Sequence, residues 1–283
     1  MDAARARDVW RPLEVIHSVT YFSPECRAAN KAVGLRGFWM GYFASRAAPM
    51  GAVTPGVIDA TFYNFHPAMV RRAIPDAWTL ASPAAILEAR SLAASQAVRR
   101  LAPEAEPLAD RVYGLLATAV DHADCAGRPL AAANRDVVCR DQLEAIWQAT
   151  ATLREHRGDG HVAVLTECQV DGCQAHVLHA ATGGVPRPVL QGNRGWSDED
   201  WAEATEGLRR RGLVDADGAA TDAGRQLHDH IERRTDELAV APYLALGDEA
   251  VDELVTFLLR VARPIAGAGE MPFPNPIGLS FDG

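Results

Sequence analysis

Residues 197–224 read SDEDWAEATEGLRRRGLVDADGAATDAG, and the punctuation inside them sets the reading of the chain around them. Ser197 followed by Asp198, Glu199 and Asp200 predicts a capping box: a hydroxyl that accepts from the third helical N–H, and a side chain that reaches back. The acids also suit the positive end of a helix. Gly212 stops that helix after Arg211. Val214-Asp215-Ala216-Asp217-Gly218 has room only for a very short hairpin. Thr221-Asp222 then caps a long helix through Leu238.

Helices are also expected upstream. Asp141–His156 carries Leu143, Ile146, Trp147, Thr150 and Leu153 on one face, and Gly158 and Gly160 are expected to break it. Short helices at His161–Cys168 and Gln174–Ala181 follow. Residues 183–195, GGVPRPVLQGNRG, hold four glycines and two prolines and read as a loop. A helix over Leu108–His122 and a loop over Ala126–Asn134 precede this region. Leu244 to Val261 gives a final helix, and the tail MPFPNPIGL is irregular.

In the first half, Trp10–Tyr21 has an apolar stripe near the 3.6 period. Ser23-Pro24-Glu25, Thr54-Pro55 and Ser82-Pro83 each read as a helix start. Arg36–Ala48 and 84–101 are helical, while 57–70, VIDATFYNFHPAMV, is ambiguous between helix and strand. Residues 102–109, APEAEPLA, read as a linker. They divide the chain into an N-terminal helical half, 1–105, and a C-terminal half, 106–283.

Composition limits the function. The chain has 283 residues, 48% of them hydrophobic, enough for a sizeable core, and a formal net charge of −9. That balance argues against general affinity for nucleic acid or an anionic membrane. There is no apolar leader and no run of about 18 apolar residues, so the cytoplasm is the expected compartment and no membrane partner is expected. Cys26, Cys125, Cys139, Cys168 and Cys173 form no CxxC pair and read as buried thiols in a reducing compartment.

The order of elements after residue 141 resembles the MarR type of winged helix. The matching residues are Leu208-Arg209-Arg210-Arg211-Gly212-Leu213-Val214 and Thr221-Asp222-Ala223-Gly224. The whole chain also resembles an actinobacterial family described only as helix-turn-helix or winged-helix-like. That likeness is carried by Tyr21-Phe22-Ser23-Pro24-Glu25, Ser45–Gly51, Phe62–Pro67 and Leu153–His161. These resemblances imply a mainly α, winged-helix-like fold and no particular activity. A faint echo between Arg36-Gly37-Phe38-Trp39 and Arg157–His161 permits two related halves. An internal pseudo-twofold would favour a monomer over a homodimer.

In DNA-binding members of such families the front of the recognition helix enters the major groove. Here that front holds Asp198, Glu199, Asp200 and Glu203, with Glu206 a turn later, and the wing carries no arginine. Nucleic acid is therefore an unlikely partner, since phosphate contacts need cations or neutral donors. The expected function is a small-molecule-binding protein, or an enzyme, acting on an anionic or carbonyl-bearing ligand between the two halves. The alternative is a MarR-like transcriptional regulator.

The candidate site residues interrupt apolar stretches. Arg154–His161 is the densest polar cluster, and within it His156, Arg157, Asp159 and His161 are candidates. His161 is expected at a helix N-terminus, which suits a neutral base or ligand. The bland alternative is a capped turn with surface ion pairs. Tyr63, Asn64 and His66 form an aromatic and polar group suited to orienting a ligand, or else a core helix. Arg46 needs an anion or a partner such as Glu25 or Asp59. Arg194 and Trp196 end the glycine-rich loop and read as a lid or an anchor. His161 and His66 are the acid–base candidates. No metal is assigned to His66, His156, His161 or the His176/His179 pair, because no full zinc signature is present. The motifs identify no cofactor: GxGxxG, Walker, GxSxG and HExxH patterns are all missing.

Overall fold

The computed structural model describes residues 2–272 and residue 275. Helix α1 (Ala3–His17) passes through the single turn α2 (Val19–Phe22) into α3 (Pro24–Ala32). A first lobe follows, made of α4 (Gly37–Ala47), α5 (Pro55–Thr61), α6 (Pro67–Arg71) and α7 (Asp76–Leu80). The chain returns to the centre through α8 (Pro83–Leu101), α9 (Ala109–Asp121), α10 (Pro129–Arg135) and α11 (Gln142–Glu167). A second lobe contains α12 (Gly172–Ala181), α13 (Arg187–Arg194) and α14 (Asp198–Arg210). Helices α15 (Asp222–Leu238), α16 (Ala241–Leu244) and α17 (Asp248–Gly267) close the described chain. None of these helices is long and apolar enough to cross a membrane.

Three apolar clusters organise these elements. The central one joins α1, α8, α9, α11 and α17 around Trp147. Residues 102–109, expected as a linker, form a 3-10 turn whose Ala102 and Ala105 belong to this central core. The core therefore draws on residues from both sides of position 105. The second cluster fills the first lobe with Phe43, Phe62, Phe65 and Ile74. The third fills the second lobe with Leu178, Leu190, Trp201 and Leu208.

Helix α11 differs most from expectation. It runs unbroken through Gly158 and Gly160, so His161 lies within a helix and not at its start. Each glycine costs about 1 kcal/mol against alanine in a helix, but every residue from Gln148 to Leu153 is buried, and packing on all sides outweighs that cost. Gly160 has a packing role. A Cβ there would lie 2.6 Å from Nη1 of Arg128, whose guanidinium donates to the carbonyls of His156 and Leu238.

Two expected loops are also helical. Residues 126–134 contain the start of α10, and 183–195 contain α13, because proline at the first helical positions fixes φ without losing a needed N–H. Gly195, at φ 78°, ends α13 in the left-handed conformation. The ambiguous stretch 57–70 splits in two: Pro67 holds His66 extended, and the His66 imidazole caps α6. The capping box on α14 and the Thr221 cap on α15 form as read from sequence. The expected hairpin reduces to one antiparallel bridge, Val214 to Ala220. All five thiols are free, but only Cys26 and Cys173 are buried. The tail 271–279 falls mostly outside the described residues.

The lobes meet along Phe62–His66. The Tyr63 hydroxyl donates to the Val170 carbonyl at 2.8 Å, and Trp196 Nε1 donates to the Asn64 carbonyl at 3.1 Å. Gly172 opens α12 against this segment, and a Cβ there would come within 2.1 Å of the Tyr63 carbonyl oxygen. Backbone cannot swing aside as a side chain can. Gly172→Ala is therefore expected to lower stability by about 1–3 kcal/mol, the usual cost of overpacking. A urea midpoint unchanged from wild type would show that the seam tolerates the extra carbon.

Candidate functional site

A cavity of about 520 Å³ lies between the lobes, floored by α1 and α11. Its floor is set by a buried chain of charge. Glu155 accepts from Arg46 Nε at 2.7 Å and Nη2 at 2.9 Å, and from Arg154 Nη1 at 2.9 Å. Arg154 Nε reaches both oxygens of Glu14 at 3.2 Å. Burial opposes ionisation of Glu155, but Arg154 and Arg46 outweigh it and hold the carboxyl below its usual range. Arg46 thus has a structural partner, and it is not either of the expected ones: Glu25 pairs with Arg100, and Asp59 with Arg71.

The remaining charges come from α1, α11, α13 and α15. Arg157 pairs with Asp236 at 2.9 Å and lies 4.2 Å over the Trp10 ring. Arg7 holds the other oxygen of Asp236 at 2.6 Å. Arg194 is buried with its guanidinium 4.5 Å over the Phe65 ring. Burial, with Arg46 and Arg154 nearby and Tyr42 partly opposing, lowers its pKa to about 10. Five arginines, Arg7, Arg11, Arg154, Arg157 and Arg194, line the cavity against two carboxylates, Glu14 and Glu232.

The opposite wall is aromatic. Tyr21 and Tyr42 stand 4.7 Å apart by ring centroids, beside Phe38 and Trp39. Histidines complete the polar wall. His161 Nδ1 lies 3.0 Å from Thr235 Oγ1. Burial lowers its pKa to about 4; Glu232 opposes the shift, and Arg157, His179 and His228 reinforce it. His179 Nδ1 and His228 Nε2 are 3.2 Å apart, and burial lowers the His179 pKa before His228 adds to the effect.

Of the residues singled out from sequence, Asn64, Arg157, His161 and Arg194 line this cavity together. Arg46 lies beneath it, through Glu155. Tyr63, His66 and Trp196 belong to the seam between the lobes. His66 Nδ1 accepts from the Ala68 N–H at 3.1 Å, and its ring packs edge-on to Trp196. His66 therefore does not share a site with His161. His156 and Asp159 serve the packing of α10 and the loop before it: His156 Nε2 meets the Asp124 carbonyl at 3.1 Å, and Asp159 accepts from the Ala131 N–H at 3.0 Å. Trp196 is an anchor, since its Nε1 is spent on Asn64.

Sequence reasoning passed over Tyr21, Trp39, Tyr42, His228 and Glu232 as site residues, took Arg154 only as part of its polar cluster, and weighed His179 only as a metal ligand. A signal existed for some of them. Trp39 and Tyr42 are spaced i, i+3, and His228 and Glu232 i, i+4, so each pair shares a helix face. Among the described residues, no group of three or more His, Cys, Asp and Glu side chains is arranged to hold a metal ion.

A family model described as a helix-turn-helix family matches residues 6–272. No curated protein and no solved structure matches the chain.

The buried imidazoles make stability depend on pH. Burial pushes His156 and His161 down to about 4 and His176 to about 3. In the unfolded chain they take up protons at about 6.5. The unfolded state thus binds more protons, and their contribution is complete above about pH 6.5 and is lost as pH falls towards 4. Asp159, raised to about 6 chiefly by burial, works in the opposite direction over the same window. Three imidazoles outnumber one carboxyl, so the urea midpoint should fall between pH 7 and 4.5. His161→Gln should make that fall shallower; equal slopes would show that His161 is not held neutral.

Proposed function

The chain belongs to the helix-turn-helix family whose model it matches, and from that premise we propose that it is a small-molecule-binding member, whose inter-lobe cavity takes a planar organic anion. The observation that carries this reading is the lining itself: five arginines against two glutamates, facing an aromatic wall, in one cavity of about 520 Å³. The planar part of the ligand rests on Tyr21, Tyr42 and Phe38. Its anionic group meets Arg194, which lies over the Phe65 ring, while Arg154 and Arg157, already paired with acids, frame the site. Asn64 and Asn193 orient it, and His161, neutral at pH 7, is a hydrogen-bond partner and the general-base candidate. In this reading α12, α13, α14 and the Val214–Ala220 bridge are a winged-helix unit of the MarR kind, one face of which is a cavity wall. One chain supplies both lobes and the whole lining, so a monomer suffices.

Family membership favours a second reading, a DNA-binding regulator of transcription acting through α14. The side chains on α14 oppose it. Asp198, Glu199 and Glu203 are exposed along the helix. Arg209 is bound to Glu206 at 2.6 Å and to the Asp215 and Ala216 carbonyls at 3.2 Å. Arg211 caps the end of α11 by donating to the Cys168 and Gln169 carbonyls at 2.9 and 2.6 Å. Arginines held this way are poorly placed to contact phosphate. The two readings converge only in a ligand-responsive regulator.

Tryptophan fluorescence separates them, because Trp10 and Trp39 line the cavity. Titration with 1-naphthoate should quench wild type saturably, and Arg194→Ala should weaken binding at least about tenfold, the value of one charge-assisted hydrogen bond. Unchanged binding in a folded Arg194→Ala protein would rule out this site. Anisotropy with duplex DNA at about 100 mM salt should show nothing tighter than roughly 10⁻⁴–10⁻⁶ M, the non-specific range. A nanomolar, salt-sensitive complex lost on Arg210→Ala would instead establish the regulator.

A further inference from the structure

Beside the main cavity lies a second hollow of about 570 Å³, and the two share Tyr21, Phe38 and Tyr42. The charged residues lining it are Arg27, Lys31 and Arg36, with no carboxylate among its lining residues. Lys31 is the chain's sole lysine, in a protein of net charge −9. Arg27 donates to the Phe22 carbonyl, while Lys31 and Arg36 enter no ion pair and no side-chain hydrogen bond among the described residues. This differs from the main cavity, where Arg154 and Arg157 are each matched by acids. Three cations around one concavity without a counter-charge make a local positive field against the sign of the whole molecule. Helix α4 begins at the same wall without a side-chain cap, and its positive end adds to that field.

We infer that this second hollow is a phosphoryl-binding compartment, and that the ligand of the main cavity is bipartite. Its planar head lies against Tyr21 and Tyr42, and a phosphoryl-bearing tail passes Phe38 to reach Lys31 and Arg36. Tyr21, Phe38 and Tyr42 border both hollows, and Phe38 is exposed, so a molecule laid over its ring reaches from one hollow to the other. A phosphoryl group fits better than a carboxylate because several separate cations converge on it and it presents three oxygens to them. The bipartite part of this inference rests on the proposed reading of the main cavity; the phosphoryl compartment does not.

Calorimetry with three probes tests it: inorganic pyrophosphate, 1-naphthoate, and 1-naphthoate joined to pyrophosphate through a butyl chain on its ring. Lys31 and Arg36 are exposed, so the double variant Lys31→Ala/Arg36→Ala keeps its fold, which circular dichroism checks. Pyrophosphate should bind wild type and bind the double variant at least tenfold more weakly, with 1-naphthoate unaffected. The joined probe should bind wild type at least tenfold more tightly than either part, through the effective concentration of the linked group, and lose that gain in the double variant. Equal pyrophosphate binding by wild type and variant, or none by either, overturns the compartment. A joined probe no tighter than its parts overturns the bipartite ligand. If 1-naphthoate fails to bind while pyrophosphate behaves as expected, the main-cavity reading fails and the phosphoryl compartment stands.

Discussion

Glu155 sits near the centre of the molecule with Arg46 of the first lobe on one side and its own neighbour Arg154 on the other, and the relative placement of lobe, core and cavity depends on that contact. The pair is deeply buried: the side chains of Arg46 and Glu155 are 10% and 2% exposed. Removing one partner of such a pair costs about 3–5 kcal/mol, because a charge is left buried alone. The bidentate geometry also fixes direction, since a planar guanidinium fits a carboxylate in few orientations. It sets the register of α4 against α11. Because Arg154 continues the chain to Glu14, the same contact joins α1 and leaves the Arg154 guanidinium on the cavity floor.

Helix α11 makes this possible, and it is where the sequence was hardest to read. Its ends obey local rules, such as Asp141 accepting from the Glu144 N–H. Its middle does not: REHRGDGH looks like an exposed turn because it holds six polar side chains and two glycines. Inside the bundle the polar groups pair with elements far away in sequence. Asp159 binds the start of α10, and Gly160 makes room for Arg128. Local propensity registers the glycines as breakers, while the contacts that outweigh them come from residues 28 to 140 positions away.

Helix starts were legible for the opposite reason. Ser82, Thr221 and the capping box at Ser197 act within four residues, so the sequence contains the whole interaction, whereas the capping box at Asp171 went unread. The candidate site was only partly legible. A polar residue in an apolar stretch signals burial, and burial is satisfied in two ways. Arg157, His161 and Arg194 reach a cavity, whereas His156 and Tyr63 are satisfied by the backbone carbonyls of Asp124 and Val170. Which outcome a residue meets depends on the element opposite, and a single helix's pattern does not carry that information. The aromatic wall was hidden differently: Tyr21 and Tyr42 look like ordinary core residues until the lobes leave a gap between them.

The arrangement also bears on how the proposed ligand site and the second lobe are connected. The cavity takes its lining from three bodies: Tyr42 from the first lobe, Arg154 from the core, and Arg194 from the second lobe. The first two are tied together by Glu155. The second lobe is joined to the first mainly by neutral hydrogen bonds along Phe62–His66, each worth about 0.5–1.5 kcal/mol net. On the proposed reading, a ligand seated between the core and the second lobe acts across the weaker connection. It shifts the lobe carrying α14 only to the extent that it binds one lobe position better than another. Arg194, on α13 of the second lobe with its guanidinium 4.5 Å over the Phe65 ring of the first, lies at that connection.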